Sequence, residues 1–257
     1  MIDKERSAMQ TIERTSPIPY YEQLFDILKA RIEGGDFPAE ERLPSELELC
    51  REFGLARATV RQTLAKLETE GYARRVARRG VFATTPEPAS GWIVQDAEGF
   101  LESQIRHGRT GIETTVVDAG FRAAPEHVLE ELRLAETDRI FAIDRIRRLD
   151  GEIAMFSTNW FPPDAGAVIA DAHDVLDGTG SVNNTLRQAG FITEAARRVI
   201  HATAAPPDVA EHLDVPTGHP VMRIRSLSWD QSGRRFDYYE TWVLTDTVPL
   251  EVNVTAA

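Results

Sequence analysis

The sequence predicts an α+β protein of two domains, and three observations support this prediction. Residues 43–82 have the periodicity of two short helices followed by a hairpin. Beyond residue 92, long strand-like runs alternate with short helical ones. The sign of the charge also changes along a chain whose net charge is −12. Residues 51–82 hold eight basic and three acidic side chains, and residues 87–257 hold 15 basic and 27 acidic ones.

Two helices separated by a tight turn are predicted first. Ser45 and Glu48 have the spacing of a capping box, and Gly54 ends the first helix. Three residues are expected to form its apolar side: Leu47, Leu49 and Phe53. The second helix is predicted from about residue 57 to residue 70, with a core face made by Val60, Leu64 and Leu67.

The second helix presents arginines on another face. Arg57 and Arg61 are four residues apart, so their guanidinium groups point the same way, and Thr59 is near both. Such arginines can bind a guanine edge or a phosphate. Strand-like runs at 72–76 and 81–84 then predict a hairpin with four arginines: Arg74, Arg75, Arg78 and Arg79. These side chains either bind along a DNA phosphate backbone or are only solvated surface charges. Together these elements predict a winged helix-turn-helix that binds DNA.

Residues 19–85 resemble the GntR family of bacterial transcription regulators. The matching motifs are PYYEQLFDILKARIEGGDF, LPSE, the R-x-T-V-R of 57–61, the L-E-x-E-G-Y of 67–72, and Gly80 with Phe82. The resemblance implies a first helix at about 20–33 and DNA contacts among these residues: Arg57, Thr59, Arg61, Arg75, Arg78, Arg79 and Gly80. Three positions depart from the family pattern: Leu47 replaces a common arginine, Ala56 a polar N-cap, and Arg78 the first wing glycine.

The second domain is predicted to be an antiparallel sheet with helices packed on it. Strands are expected at 113–121, 139–149, 152–161, 192–203, 221–229 and 235–244, and helices at 100–107, 126–132, 181–188 and 208–213. A helix-then-hairpin unit occurs twice, since Ala123 and the residues after it match Ala204 and its successors at an offset of 81. A pair of such units about a pseudo-twofold axis would leave a ligand cleft.

Residues 92–252 also resemble the UTRA effector domain, a chorismate-lyase-like module of the HutC-type GntR branch. The resemblance implies a homodimer whose small-molecule effector tunes DNA affinity. The predicted organisation is therefore a DNA-binding domain at 16–84, a stiff proline-bearing linker at 85–91, and an effector-binding and dimerisation domain at 92–253.

Arginines on an apolar strand face indicate where the effector binds. Arg145 and Arg147 share a face with Phe141 and Ile143, so they need an anionic partner. A ligand phosphate or carboxylate and an internal salt bridge are both compatible with this pattern. The remaining candidates are Ser157, where relatives often have a ligand-binding glutamate, and two residues of the last strand, Asp237 and Tyr239.

The sequence lacks the catalytic, cofactor-binding or metal-ligating residues that several enzyme classes require. No lysine follows Lys66, so a pyridoxal-phosphate domain is excluded, and the single Cys50 excludes thiolate zinc sites and disulfides. The six histidines lack metal-like spacing, and neither a catalytic residue nor a cofactor is predicted. Residues 1–16 have no signal-peptide pattern and are expected to be a frayed, polar terminus, and no segment is apolar enough for a membrane.

The sequence thus predicts a cytoplasmic, homodimeric repressor that a small anionic metabolite releases from a near-palindromic operator in double-stranded DNA. Two alternatives remain open at this stage. One is a constitutive DNA-binding protein whose large domain only dimerises, and the other is a small-molecule lyase on the same fold.

Overall fold

The computed structural model describes residues 11–84, 92–93, 111–135 and 139–252, with the backbone alone described at 92–93. The chain separates into two compact units, residues 1–88 and 89–257. The predicted linker at 85–91 and the predicted helix at 100–107 lie outside the described residues. Within the described part of the chain, no helix is both long and apolar enough to cross a membrane.

The first unit is a winged helix-turn-helix, as the sequence predicts. Its elements are α1 (Tyr20–Glu33), α2 (Glu46–Phe53), α3 (Arg57–Thr69), β1 (Ala73–Val76) and β2 (Gly80–Ala83). The capping box of α2 is present, and Gly54 ends the helix with φ +63°. Ala56 makes no side-chain cap bond, so α3 begins without one. The hairpin strands are antiparallel and pair Ala73 with Ala83.

One core joins the three helices to the hairpin. Its most buried members are Leu24, Leu28, Leu43, Leu49, Val60, Leu64, Leu67, Tyr72 and, from the hairpin, Ala83. The prediction that Leu47 lies on the apolar side of α2 is wrong, since this residue is 59% exposed. In an eight-residue helix only one narrow stripe faces the core, and Leu49 and Phe53, four residues apart, occupy it.

The prediction of a frayed N-terminus is wrong for the described residues before α1. Ile12 packs against the core of the first unit. The Arg14 Nη2 atom donates to the Gly54 carbonyl at 3.1 Å, and the Arg14 guanidinium lies over the Tyr20 ring. Arg14 thus contacts the turn between α2 and α3, and Ile12 contacts the core.

The second unit is built on a six-stranded antiparallel sheet. Its strands are β4 (Ile112–Arg122), β5 (Ile140–Leu149), β6 (Glu152–Phe161), β7 (Ala195–Ala204), β8 (Pro220–Trp229) and β9 (Arg235–Val243). They are ordered β4-β5-β6-β9-β8-β7. Two short strands, β3 (Trp92–Ile93) and β10 (Leu250–Glu251), form a separate parallel pair. All six predicted strands are confirmed, with ends that differ by at most a few residues.

Helices pack on both faces of this sheet. The predicted helices α4 (Glu126–Leu132), α7 (Val182–Gln188) and α8 (Pro207–Leu213) are present. Two helices were not predicted, α5 (Pro163–Ala170) and α6 (His173–Leu176). The sequence of α5 has a weak helical signal because it includes Gly166. A Cβ at that position would lie 2.5 Å from the Phe141 Cβ, so close packing on β5 requires the glycine.

The internal repeat is a pseudo-twofold arrangement. The central strands β6 and β9 pair Thr158 with Glu240, two residues that are themselves equivalent at an offset of 82, because the hairpin turn of the second copy has one extra residue. The flanking pairs, Phe156 with Trp242 and Trp160 with Tyr238, exchange under the same operation. Each repeat's helix packs on the other repeat's central strand, α4 on β9 and α8 on β6. The strand order and these contacts support a duplicated unit.

Candidate functional site

A cluster of charged side chains lies at the start of the second helix of the helix-turn-helix. Arg57 and Arg61 are 71% and 59% exposed, and the Nε atoms of both donate to one carboxylate oxygen of Glu46, at 2.8 and 2.9 Å. The Arg57 guanidinium, by hydrogen bonding, holds the pKa of Glu46 below its usual range. Glu46 therefore orients both arginines through one nitrogen of each, and the two guanidinium groups remain largely exposed.

Sequence reasoning missed Glu46. It lies one residue after the N-cap of α2, and α3 reaches it only across the turn. Packing fixes that approach, because Leu49 of α2 and Val60 of α3 are buried in one hydrophobic core. The half-buried Thr59 lies on α3 between the two arginines.

The wing presents cations of two kinds. Arg75 forms an ion pair with Glu68 at 2.7 Å, and Arg74 forms one with Glu40. Arg78 and Arg79, at the tip, form no ion pair within the described residues, and Arg79 lies over the Phe82 ring. These two cations are available to an outside anion such as a DNA phosphate.

Backbone geometry explains the residue preferences of the wing turn. Arg78 has φ +62°, in the left-handed region that a side chain disfavours, and this is where the family pattern has glycine. Gly80 has φ +114°, and a Cβ there would lie 2.9 Å from the Arg42 Nε atom. The turn therefore requires Gly80 and tolerates Arg78 at a cost in conformational energy.

The second unit brings together the five residues that the sequence singles out for the effector. Alternation along β5, β6 and β9 places all of them on one face of the sheet, and four are buried: Arg145, Arg147, Ser157 and Asp237. Tyr239 is half-buried, and its hydroxyl lies 3.9 Å from the Met155 sulfur. We call these residues, with the three named next, the polar cluster.

Three further buried polar residues belong to the polar cluster: Asn159, Ser226 and Thr241. Asn159 accepts a hydrogen bond from the Arg145 Nη2 atom and donates to Asp237 Oδ1 at 2.7 Å. The strand periodicity could have identified it, since Asn159 is two residues beyond Ser157 on the same face. The chain from Arg145 through Asn159 to Asp237 nevertheless depends on pairing between strands 78 residues apart.

Asp237 has a perturbed acidity. Burial raises the pKa of its carboxyl to about 6, against the lowering effects of the Asn159 hydrogen bond and of the charges of Arg145 and Arg198. This carboxyl therefore changes its protonation near neutral pH. It can accept from a ligand when ionised and donate to one when protonated.

Arg147 is a buried cation with little internal compensation. It is 5% exposed, its Nη1 atom donates to the Ser157 hydroxyl at 3.1 Å, and its Nε atom has no hydrogen-bond partner among the described residues. In the part of the chain that is described, it forms no ion pair. The internal salt bridge that the sequence left open is thus not found for Arg147, and the geometry suits an external anion.

Two family models match the chain. The model of bacterial regulatory proteins of the gntR family matches residues 20–83, and the UTRA domain model matches residues 108–249. The transcriptional repressor NagR of Bacillus subtilis is 26% identical over 88% of this chain and 91% of its own length. An HTH-type transcriptional regulator of Mycobacterium tuberculosis is 30% identical over 84% of this chain and 79% of its own length.

Solved structures share the fold. The possible transcriptional regulator YydK of Bacillus subtilis superposes with a TM-score of 0.63 at 18% identity, covering 91% of this chain and 99% of its own. PhnF of Mycobacterium smegmatis superposes with a TM-score of 0.58 at 18% identity over the same shares. These similarities confirm the predicted α+β architecture, a winged helix followed by an antiparallel sheet with helices.

Proposed function

The chain belongs to the GntR family of bacterial transcription regulators and has a UTRA domain, and from this premise we propose that a small anionic metabolite controls its affinity for DNA. It is a DNA-binding regulator and not an enzyme. In the proposed mechanism it is a cytoplasmic homodimer that represses transcription from a near-palindromic operator and releases it when the metabolite binds.

The buried guanidinium of Arg147 is the observation that supports an anionic effector. Burying a cation costs several kcal/mol by rough estimate unless an anion or several hydrogen bonds compensate it. Arg147 has one hydroxyl partner at 3.1 Å within the described residues. A phosphate or carboxylate would receive two parallel hydrogen bonds from such a planar group. Ser157 beside it, and Asn159 and Asp237 farther along the same face, offer polar atoms that suit hydroxyl or amide groups of the same ligand.

On the DNA side, the proposed contacts are those of α3 and the wing. Arg57 and Arg61, oriented by Glu46, bind base edges or phosphates of one half-site, with Thr59 between them. The tip cations Arg78 and Arg79 bind the flanking backbone. Two copies related by a twofold axis would place two such heads on a palindrome. A change in operator affinity of five- to 150-fold requires a coupling free energy of only about 1–3 kcal/mol.

An electrophoretic mobility shift assay on DNA from upstream of the gene tests this proposal. The full-length protein is titrated alone and with panels of sugar phosphates, carboxylates and amino acids. We expect a sequence-specific shift that one anionic compound weakens at least fivefold. Arg61→Ala should weaken operator binding at least tenfold, and Arg147→Ala should preserve operator binding while removing the response to the compound.

The matched control is Arg148→Ala, which removes an arginine from the neighbouring position of the same strand, on the opposite face of the sheet. This variant should keep both DNA binding and the response. If Arg61→Ala and Arg147→Ala lose DNA binding equally, the proposed division of labour is wrong. A specific shift that no anionic compound alters would instead favour a constitutive DNA-binding protein.

A further inference from the structure

A cavity of about 380 Å³ lies on the face of the sheet opposite to the polar cluster. Its floor includes Leu227 of β8 and Tyr238 of β9, both buried. Tyr238 lies between Asp237 and Tyr239 in sequence, so alternation along β9 places it on the other face. We call this space the helix-side cavity, since α4 lines one side of it and the edge strand β7 the other.

Three arginines line the helix-side cavity, two of them in ion pairs, and α4 contributes the carboxylates of Glu130 and Glu131 to the same lining. Arg197 forms an ion pair with Glu131 at 2.5 Å, and Arg225 forms one with Glu240 at 2.5 Å. The third, Arg223, forms no ion pair with any residue that the structure describes. Its guanidinium lies over the Trp242 ring, 5.5 Å from the centroid, and its Nη2 atom lies 3.5 Å from the Nδ1 atom of His201.

The internal repeat shows that the sheet does not require these basic residues. At the repeat offset of 81, Ala142 is equivalent to Arg223 and Asp144 to Arg225. The edge-strand residue paired with Ala142 is Gly120, whereas the one paired with Arg223 is His201. The other half of the same fold thus has no basic side chain at these three positions. The other half does have an arginine over the equivalent tryptophan, since Arg122 lies over Trp160, but Asp118 and Asp144 form ion pairs with it. An arginine there without an ion pair among the described residues is therefore particular to the helix-side cavity.

We propose that the helix-side cavity is a second ligand site, which binds a small phosphate- or carboxylate-bearing molecule independently of the polar cluster. Arg223 binds the anionic group, held in place by the Trp242 ring. His201 supplies a second nitrogen within reach of the same anion. Leu227 and Tyr238 contact the apolar part of the ligand, as in other sites that combine an apolar floor with few polar groups.

Histidine NMR on the full-length protein tests this site directly, because two of the six histidines, His127 and His201, line the cavity. Histidine labelled with 13C at Cε1 gives separate signals, which His127→Gln and His201→Gln assign. Inorganic phosphate and citrate are titrated in separate arms at fixed pH, with ionic strength held constant by potassium chloride. We expect the signals of these two histidines to shift saturably with at least one anion, while His173 and His219 do not respond.

Two variants and one control separate this site from the rest of the molecule. Arg223→Gln keeps an aliphatic stem against Trp242 and should weaken the binding at least tenfold. Arg147→Gln should leave it unchanged, because that residue lies on the other face. Arg148→Gln removes the same charge outside the cavity and should also have no effect.

The proposal is overturned if neither anion gives a saturable shift, or if Arg223→Gln binds as well as the wild type. It is equally overturned if Arg147→Gln abolishes the shifts, since the response would then belong to the polar cluster. None of these results depends on DNA binding, so the failure of this site is distinguishable from a failure of the proposed effector site.

Discussion

Replacing Arg147 by methionine should make the ligand-free protein more stable. Methionine has a similar unbranched length, fills the same space and brings no charge into the sheet. Exchange of a buried charged group for an apolar one of similar volume is often stabilising, by about 1–4 kcal/mol. The 3.1 Å bond to the Ser157 hydroxyl is lost, at a cost of about 0.5–1.5 kcal/mol. Ser157 still has a partner, because its hydroxyl also donates to the Arg145 carbonyl.

The net expectation for Arg147→Met is a gain of about 1 kcal/mol in the free energy of unfolding of the second unit. For a domain of this size the gain corresponds to a rise in Tm of about 2–4 °C. Differential scanning calorimetry and urea denaturation without ligand measure it. The same variant should lose the operator response to the effector, since a residue that costs stability is retained for binding.

Arg148→Met is the matched control for this experiment. Arg148 is half-buried on the opposite face, and its Nη1 atom is 3.5 Å from the Gly151 carbonyl oxygen, so its replacement should change stability by at most about 0.5 kcal/mol. A loss of more than about 1 kcal/mol in Arg147→Met would refute the reasoning. Arg147 would then be a structural residue whose internal contacts outweigh its desolvation.

Three other expectations concern single side chains. Glu46→Gln removes the carboxylate that orients Arg57 and Arg61, and it should lower the ratio of specific to non-specific DNA affinity about tenfold. Competition mobility shift assays measure this ratio, and the control Glu52→Gln on the same helix should leave it unchanged. Arg78→Gly relieves the left-handed strain and should stabilise the wing by roughly 1 kcal/mol in thermal denaturation, while the salt dependence of operator binding becomes less steep. Folding raises the pKa of Asp237 from 3.8 to about 6, so its protonation favours the folded state and stability should fall as the pH rises from about 4 to 6. Urea denaturation of Asp237→Asn should lack this decline, and an unchanged pH profile in that variant would contradict the assignment.

Local signals predicted most of the first unit because short-range chemistry decides its elements. The capping box at Ser45 and Glu48 and the glycine at 54 define α2 within a single turn of chain. Leu47 was misplaced because an eight-residue helix is too short for its periodicity to identify the buried stripe. The position of residues 11–16 was missed because their contact with Gly54 spans 40 residues of sequence.

In the second unit, too, local sequence patterns predicted some features, and others depended on tertiary packing. Alternation along each strand was sufficient to place Arg145 and Arg147 on one face, and the repeat of Ala123 at Ala204 indicated the two related halves. The helices α5 and α6 were missed, since residues such as Pro163 and Gly166 give no helical pattern. The stability of α5 comes from packing against β5 and β6, and α6 packs in turn on α5.

The sequence by itself determined the family, the order of the elements and the face on which each strand residue lies, because these follow from local periodicity and motif spacing. Only the tertiary structure decided which polar groups touch. Three contacts join residues from different elements: Glu46 with Arg57 and Arg61, Asn159 with Asp237, and Arg223 with His201. Such contacts depend on strand register and helix packing, and these are set by the whole core and not by any one segment.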